Sequence, residues 1–165
     1  MQFWLMKSEP DEVSIDDLAA APAQKVPWFG VRNYQARNFM RDAMRVGDLA
    51  FFYHSGCSQP GIAGICAVCS DAYPDATQFA AGSPYFDPQA TPDKPRWWLR
   101  DVRLVGKSRY IPLAELRACP ELANMRLLAR GNRLSITPVT PEEWSFIVER
   151  LLGATDILEL NRNGC

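Results

Sequence analysis

Two stretches of this chain hold residues whose types and spacing could do chemistry. The run Trp28-Phe-Gly-Val-Arg-Asn-Tyr-Gln-Ala-Arg-Asn38 joins a loop tryptophan and a glycine to Arg32, Asn33 and Gln35 at a helix start. Stacking surface, close backbone approach and polar edges together suit a flat polar ring. Bases are held in this way, by aromatic stacking plus hydrogen bonds to their edges. Arg32, Arg37, Arg41 and Arg45 face only Asp42, which makes a local positive surface. A core Trp28 beside solvated arginines would use the same residues without any ligand.

The second stretch is His54-Ser55 with Cys57 nearby, a base beside two kinds of nucleophile. Neighbouring residues at a strand end point apart, and no third group that would orient the base is evident. The chain has no GxSxG, Walker A, GxGxxG after a strand, or HExxH. Without catalysis, His54 reads as a strand-end polar residue satisfied by a backbone group. Cys66 and Cys69 form a CxxC, but GIAGICAVCS reads as a strand, where residues three apart face opposite sides. With His54 the only histidine, a zinc set has no second ligand pair. No metal and no cofactor is expected.

These residues need elements to hold them. Gln2 to Met6 reads as a first strand, and Ser14 with Asp16 and Asp17 as the start of a short helix that Pro22 interrupts. Asn33 can cap a helix through about Met44, closed by Gly47 and Asp48. Leu49 to His54 and Ile62 to Cys69 are apolar on both faces, which suits a barrel or a sheet covered on both sides. Asp71 to Pro95 reads as a long ordered loop, and Arg96 to Lys107 as the longest strand. Ile111 to Arg117 and Glu121 to Leu128 read as short helices, and Leu134 to Ile136 as a last strand ending before Pro138. Thr140-Pro-Glu-Glu143 is a capping box for a final helix whose apolar stripe is Trp144, Ile147, Val148, Leu151 and Leu152, with Gly153 to close it.

The 165 residues suffice for one domain with a core. Lys and Arg total 18 against 19 Asp and Glu, a formal charge of -1. Non-specific coating of nucleic acid needs many phosphates neutralised by excess cations, so that class is excluded, as is a polybasic membrane binder. The short apolar run Phe3 to Met6 is followed at once by Glu9, Asp11 and Glu12, which does not fit a secretory signal. A cytoplasmic protein with reduced thiols is expected, with no membrane partner.

Six ordered motifs carry a resemblance to a known family. WLMKSEP at Trp4 to Pro10, GVRNYQARN at Gly30 to Asn38 and GDLAFFYHS at Gly47 to Ser55 are similar to the EVE domain. So are PGIAGICAV at Pro60 to Val68, PRWWLRDV at Pro95 to Val102 and GNRLSITPV at Gly131 to Val139. This is the thymocyte nuclear protein-like family of the PUA-like superfamily, alongside YTH and ASCH domains. The resemblance implies one α+β domain over 1–153, a small curved β-barrel decorated by short helices, with a tail at 154–165.

It also implies a non-enzymatic nucleic-acid-binding module with a pocket for a modified nucleobase, 5-methylcytosine or 5-hydroxymethylcytosine, in DNA or RNA. The pocket should draw on Lys7, Ser8, Trp28, Gly30, Val31, Arg32, Asn33, Tyr34, Gln35, His54, Ser55, Arg133, Leu134 and Ser135. Trp28 is expected to stack on the ring, with Ser8, Asn33 and Gln35 reading its edge. Arg32, Lys7 and Arg133 are expected to hold a flanking phosphate. Phe29 stands where relatives often carry a small or polar residue and Phe86 where Tyr is usual, and both changes make the pocket rim more apolar. An enzyme acting on a modified base around His54, and a pocket for a small molecule or free nucleotide, are the alternative readings.

Overall fold

The structure is a computed structural model that describes residues 1–152. Gly153 as a helix stop and the tail at 154–165 lie outside the described residues. The strands are β1 (Phe3–Ser8), β2 (Lys25–Pro27), β3 (Leu49–His54), β4 (Gly61–Val68), β5 (Tyr73–Pro74), β6 (Trp98–Leu99), β7 (Asp101–Pro112) and β8 (Ile136–Val139). The helices are α1 (Ile15–Ala20), α2 (Tyr34–Asn38), α3 (Leu113–Arg117) and α4 (Pro141–Phe146). Six strands form one mixed sheet in the order β2-β7-β4-β3-β1-β8, and β5 pairs with β6 apart from it.

Both faces of this sheet are covered. Along β1 and β3, Trp4, Met6, Ala50 and Phe52 turn to one core with Ile15 and Leu18 of α1 and Ala36 of α2. Leu5, Phe51 and Tyr53 turn to a second core with Leu116 of α3 and Trp144 of α4. Trp144 stacks 4.0 Å from Phe51 and 4.5 Å from Phe3. Two covers explain why the strands read as continuous apolar runs, and every residue of β4 is buried. Cys66 lies in that strand, where burial pushes its thiol pKa up to about 12. Cys69 falls just beyond it, so the CxxC is part of the scaffold.

The α+β class holds, but the sheet is not closed into a barrel. Among the described residues its end strands β2 and β8 do not pair with each other. Each is short, and each carries a proline, Pro27 or Pro138, with no N–H to extend a ladder. For the same reason β8 runs through Pro138 rather than stopping before it, since a proline is tolerated on an outer strand. The long strand is shifted from the expected Arg96–Lys107 to Asp101–Pro112, because its far end pairs with Gly61 and Ile62 of β4. Ile111 and Pro112 therefore belong to the end of that strand, and the helix expected there begins at Leu113. The helix expected over Glu121 to Leu128 is two separate 3-10 turns, Pro120–Leu122 and Arg126–Leu128.

The cap residues act as their positions suggest. Ser14 with Asp17 and Thr140 with Glu143 both close capping boxes. Asn33 Oδ1 accepts from the backbone N–H of Gln35 at 2.9 Å and Ala36 at 3.1 Å. α2 then relaxes into a π turn over Phe39–Ala43. The buried Arg100 guanidinium donates to the carbonyl of Met40 at 2.6 Å and of Ser70 at 3.0 Å, tying this turn to the start of β7. Among the described residues no helix is long and apolar enough to cross a membrane.

The fully buried β4 depends on the absence of a side chain at Gly64. A Cβ there would lie 2.6 Å from the backbone oxygen of Gly106 on β7 and 2.9 Å from Ile15 Cδ1. Gly64→Ala is expected to destabilise the domain by about 1–3 kcal/mol, the usual range for overpacking. The midpoint of urea unfolding measures this. An unchanged midpoint would show that β4 and β7 can separate freely at that point.

Candidate functional site

Three strand ends meet at one rim. The Ser8 carbonyl at the end of β1 accepts from Ser55 N, just past β3, at 3.0 Å. Lys7 N donates to the Ser135 carbonyl, just before β8, at 2.8 Å. The chain leaving β2 passes beside them as Pro27 to Val31, and a cavity of about 390 Å³ opens between these segments. That volume lies in the range of small-ligand sites.

Its aromatic wall is built by close packing. Trp28 is only 6% exposed, with its ring edge-on to Phe52 at 5.4 Å and its backbone N–H donating to Arg100 O at 3.0 Å. Gly30 has a φ of +84°, and a Cβ there would come within 2.8 Å of the Tyr85 ring. The expected close approach to Gly30 is therefore made by Tyr85, which also meets Phe29 edge-to-face at 5.8 Å. The Tyr85 hydroxyl donates to Glu12, across the cavity mouth. Burial and this carboxylate push the phenol pKa up to about 12.

Charge in the cavity has two signs. Lys7 and Arg133 line it near Ser135, and neither pairs with a carboxylate among the described residues. Burial pushes the Lys7 ammonium pKa below its ordinary value. Glu9 and Glu12 line it as well, so the site offers strong donors and strong acceptors together.

Asp75 holds this wall in place from behind. Its fully buried carboxylate accepts from Gly30 N at 2.8 Å, Thr77 N at 2.9 Å, Thr77 Oγ1 at 2.6 Å and Arg32 Nη1 at 3.2 Å. Burial by itself raises the carboxyl pKa, but the bonds from Thr77 and Gly30 and the Arg32 charge together hold it below its ordinary value. Gln78, also buried, bridges the carbonyls of Asp75 and Trp97 and accepts from the N–H groups of Arg96 and Trp97. The long loop of Asp71 to Pro95 is ordered by these two side chains.

Of the expected site residues, Lys7, Ser8, Trp28, Gly30, Val31, Ser55, Arg133 and Ser135 line the cavity. The others lie around it. Arg32 spends its guanidinium on Asp75, Thr77 and the carbonyls of Val31 and Tyr85. Asn33 caps α2, Gln35 is exposed on that helix, and Tyr34 stacks on Trp97. Leu134 is half-buried, with its N–H donating to Asn132 Oδ1 at 3.0 Å. His54 Nε2 accepts from Ile15 N at 3.1 Å, so the ring is neutral there and faces a backbone group rather than a hydroxyl or thiol. Burial pushes its pKa down, against the nearby Asp16.

Glu9, Glu12 and Tyr85 are lining residues that the sequence did not reveal. Glu9 and Glu12 sit in the acidic run after β1, and Tyr85 adjoins Phe86, which is 41% exposed and outside the lining. Phe29 does line the cavity, so the apolar rim rests on Phe29 and not on Phe86.

Comparison with known proteins fits this geometry. The profile described as the EVE domain matches residues 2–150. Human thymocyte nuclear protein 1 is 48% identical over 163 residues, covering 88% of this chain and 72% of the human one. A crystal structure from Pseudomonas putida superposes with a TM-score of 0.84 at 52% identity, over 88% of this chain and 97% of that one. The structure of the human THYN1 protein in complex with 5-methylcytosine-containing DNA has a TM-score of 0.83 at 48% identity, over 90% of this chain and 96% of that one. The match spans the strands, loops and helices that build the cavity, and the chain belongs to the EVE domain family.

Proposed function

We propose that this EVE domain binds nucleic acid and takes a modified cytosine-type base into the cavity, without performing chemistry on it. The observation that carries the reading is the cavity's mixed lining, with aromatic walls at Trp28, Phe29 and Tyr85, cations at Lys7 and Arg133, and carboxylates at Glu9 and Glu12. Cytosine presents an amine donor at N4 beside acceptors at N3 and O2. A carboxylate takes the N4 amine, and the Lys7 ammonium suits the acceptors. The similar human protein bound to 5-methylcytosine-containing DNA supports the same reading.

The energetics permit selection but not tight binding. Removing a base from its stack costs a few kcal/mol, and aromatic stacking returns about 1–3 kcal/mol. A methyl group in an apolar niche adds only about 1 kcal/mol. In this reading Phe29 and Trp28 form the niche, Glu12 receives the amine, and Arg133 neutralises the adjoining backbone. His54 has no acid–base role, because Ile15 N already occupies its acceptor nitrogen.

The test is fluorescence anisotropy on matched strands bearing 5-methylcytosine, 5-hydroxymethylcytosine, cytosine or thymine, at two salt concentrations. A methylated strand should bind about fivefold tighter than cytosine, as about 1 kcal/mol requires. Glu12→Gln should weaken binding of the methylated strand by about tenfold, within the range of one base-edge contact, and change thymine little. Equal affinity across all four bases removes the proposal. A free nucleoside that protects the protein against heat more than the strand does would favour the small-molecule reading.

A further inference from the structure

The cavity wall at Tyr85 continues outward as an ordered series of rings and guanidinium groups. Arg32 lies 5.4 Å from the Tyr85 centroid and 5.3 Å from that of Trp97. Trp97 in turn stacks on Tyr34 at 4.9 Å and 20°. Trp97 is buried, while Tyr34, the outermost ring, is 48% exposed. Arg37 lies 4.7 Å from the Tyr34 centroid but only 5.8 Å from that of Trp97. A group covering the outer face of Tyr34 would be much farther from Trp97, so Arg37 borders both rings and leaves that face open. Arg96 borders Tyr34 from another side, with its guanidinium donating to the Tyr34 hydroxyl.

We propose that Tyr34, flanked by Arg37 and Arg96, is a second nucleotide subsite, which stacks a base next to the one in the cavity and holds a backbone phosphate. The inference rests on the nucleic-acid reading above and adds the path of the strand. A half-exposed ring backed by a buried indole is rigid, so little freedom is lost when a base settles on it. Single strands are held by such rings together with cationic edges, with little regard to sequence. Arg32 cannot serve as the phosphate ligand, because Asp75, Thr77 and two carbonyls take its donors.

Arg37 suits that role better. It donates to Arg96 O and Asn38 Oδ1 but pairs with no carboxylate among the described residues. Around it Arg41 is paired with Asp42 and Arg96 with Asp87, so among the described residues Arg37 is the guanidinium beside Tyr34 that no carboxylate pairs. Burial first, and then the charges of Arg41 and Arg96, hold its pKa below the ordinary value. A bound anion relieves that crowding.

The experiment compares single-stranded DNA of one to eight nucleotides, with and without a central 5-methylcytosine, across a salt series. Tyr34→Ala should weaken the longer strands at least about fivefold, modified and unmodified alike. Tyr34→Phe should retain most of that affinity. Arg37→Ala should lower the slope of log K against log salt by about 0.7, the effect of one phosphate on a single strand. Arg109→Ala, which removes an equal charge from the Glu115 pair at the far end of β7, should leave the slope unchanged. Mononucleotide binding should ignore all four substitutions. Wild-type affinity and slope in Tyr34→Ala and Arg37→Ala would overturn the inference. So would a loss confined to the methylated strand, since these residues would then act through the cavity. If wild type shows no preference for the modified base, the base-reading proposal fails, while the length and salt effects still decide this one.

Discussion

Asp75→Ala is expected to cost about 3–5 kcal/mol, the range for removing one partner of a buried ion pair. For a domain of this size that lowers Tm by roughly 10 °C. The carboxylate is fully buried and receives the Arg32 guanidinium, two Thr77 groups and Gly30 N. Alanine leaves all of these donors facing an emptied, water-poor space. Asp75→Asn keeps the shape and one acceptor oxygen, so its loss should be smaller. The fold and the cavity are coupled here, because releasing Gly30 N frees the backbone that Tyr85 packs against.

The same group sets a pH dependence. Its folded-state pKa is depressed, so its contribution is fully present above the ordinary carboxyl value of 3.8 and is lost as pH falls through the folded value. Wild type should therefore lose stability on acidification below about pH 4, and Asp75→Asn should lose less over the same interval. Urea unfolding at pH 7 and pH 3 measures both. Equal losses in the two proteins would mean that other carboxyl groups carry the acid sensitivity.

What the sequence revealed follows the range of the interactions. Helix starts at Ser14, Asn33 and Thr140 were legible because a cap and its receiving N–H groups are two or three residues apart. β3 and β4 were legible from unbroken apolar runs, and the sheet covered on both sides was one of the two architectures those runs allowed. Closure into a barrel was not legible, because it depends on whether two distant short strands meet, and the proline in each opposes that. The shift of β7 arose from register with β4, which no local propensity encodes.

The site divides in the same way. Lys7, Ser8, Ser55 and Ser135 lie at or beside strand ends within motifs, and the sheet brings them to one cavity. Arg32 looks in sequence like any free arginine of a basic face. Its partner Asp75 is 43 residues away in a loop rich in polar residues, where a buried aspartate has no local signature. Tyr85 and Glu12, 73 residues apart, meet only because Gly30 lets the ring approach the backbone. A polar residue in a loop is read as solvated by default, and this loop defeats that reading at Asp75 and Gln78.

Trp28→Ala is expected to cost about 3–5 kcal/mol of stability, the usual range for truncating a buried tryptophan. The ring is 6% exposed and belongs to the same core as Phe52, Met40 and Leu99. At 6% exposure it offers the cavity little ring surface, so the proposed reading divides the stacking expected of Trp28 between it and Phe29. A loss of nucleic-acid binding in Trp28→Ala would therefore combine unfolding with lost recognition. Phe29→Ala separates the two, because Phe29 is only partly buried against the core yet lines the cavity. It should lose less stability than Trp28→Ala while removing most of the preference for a methylated strand. Thermal unfolding and anisotropy on the two variants decide the matter. If Trp28→Ala keeps the wild-type Tm and alone loses the preference, Trp28 is the stacking plate and its place in the core is energetically minor.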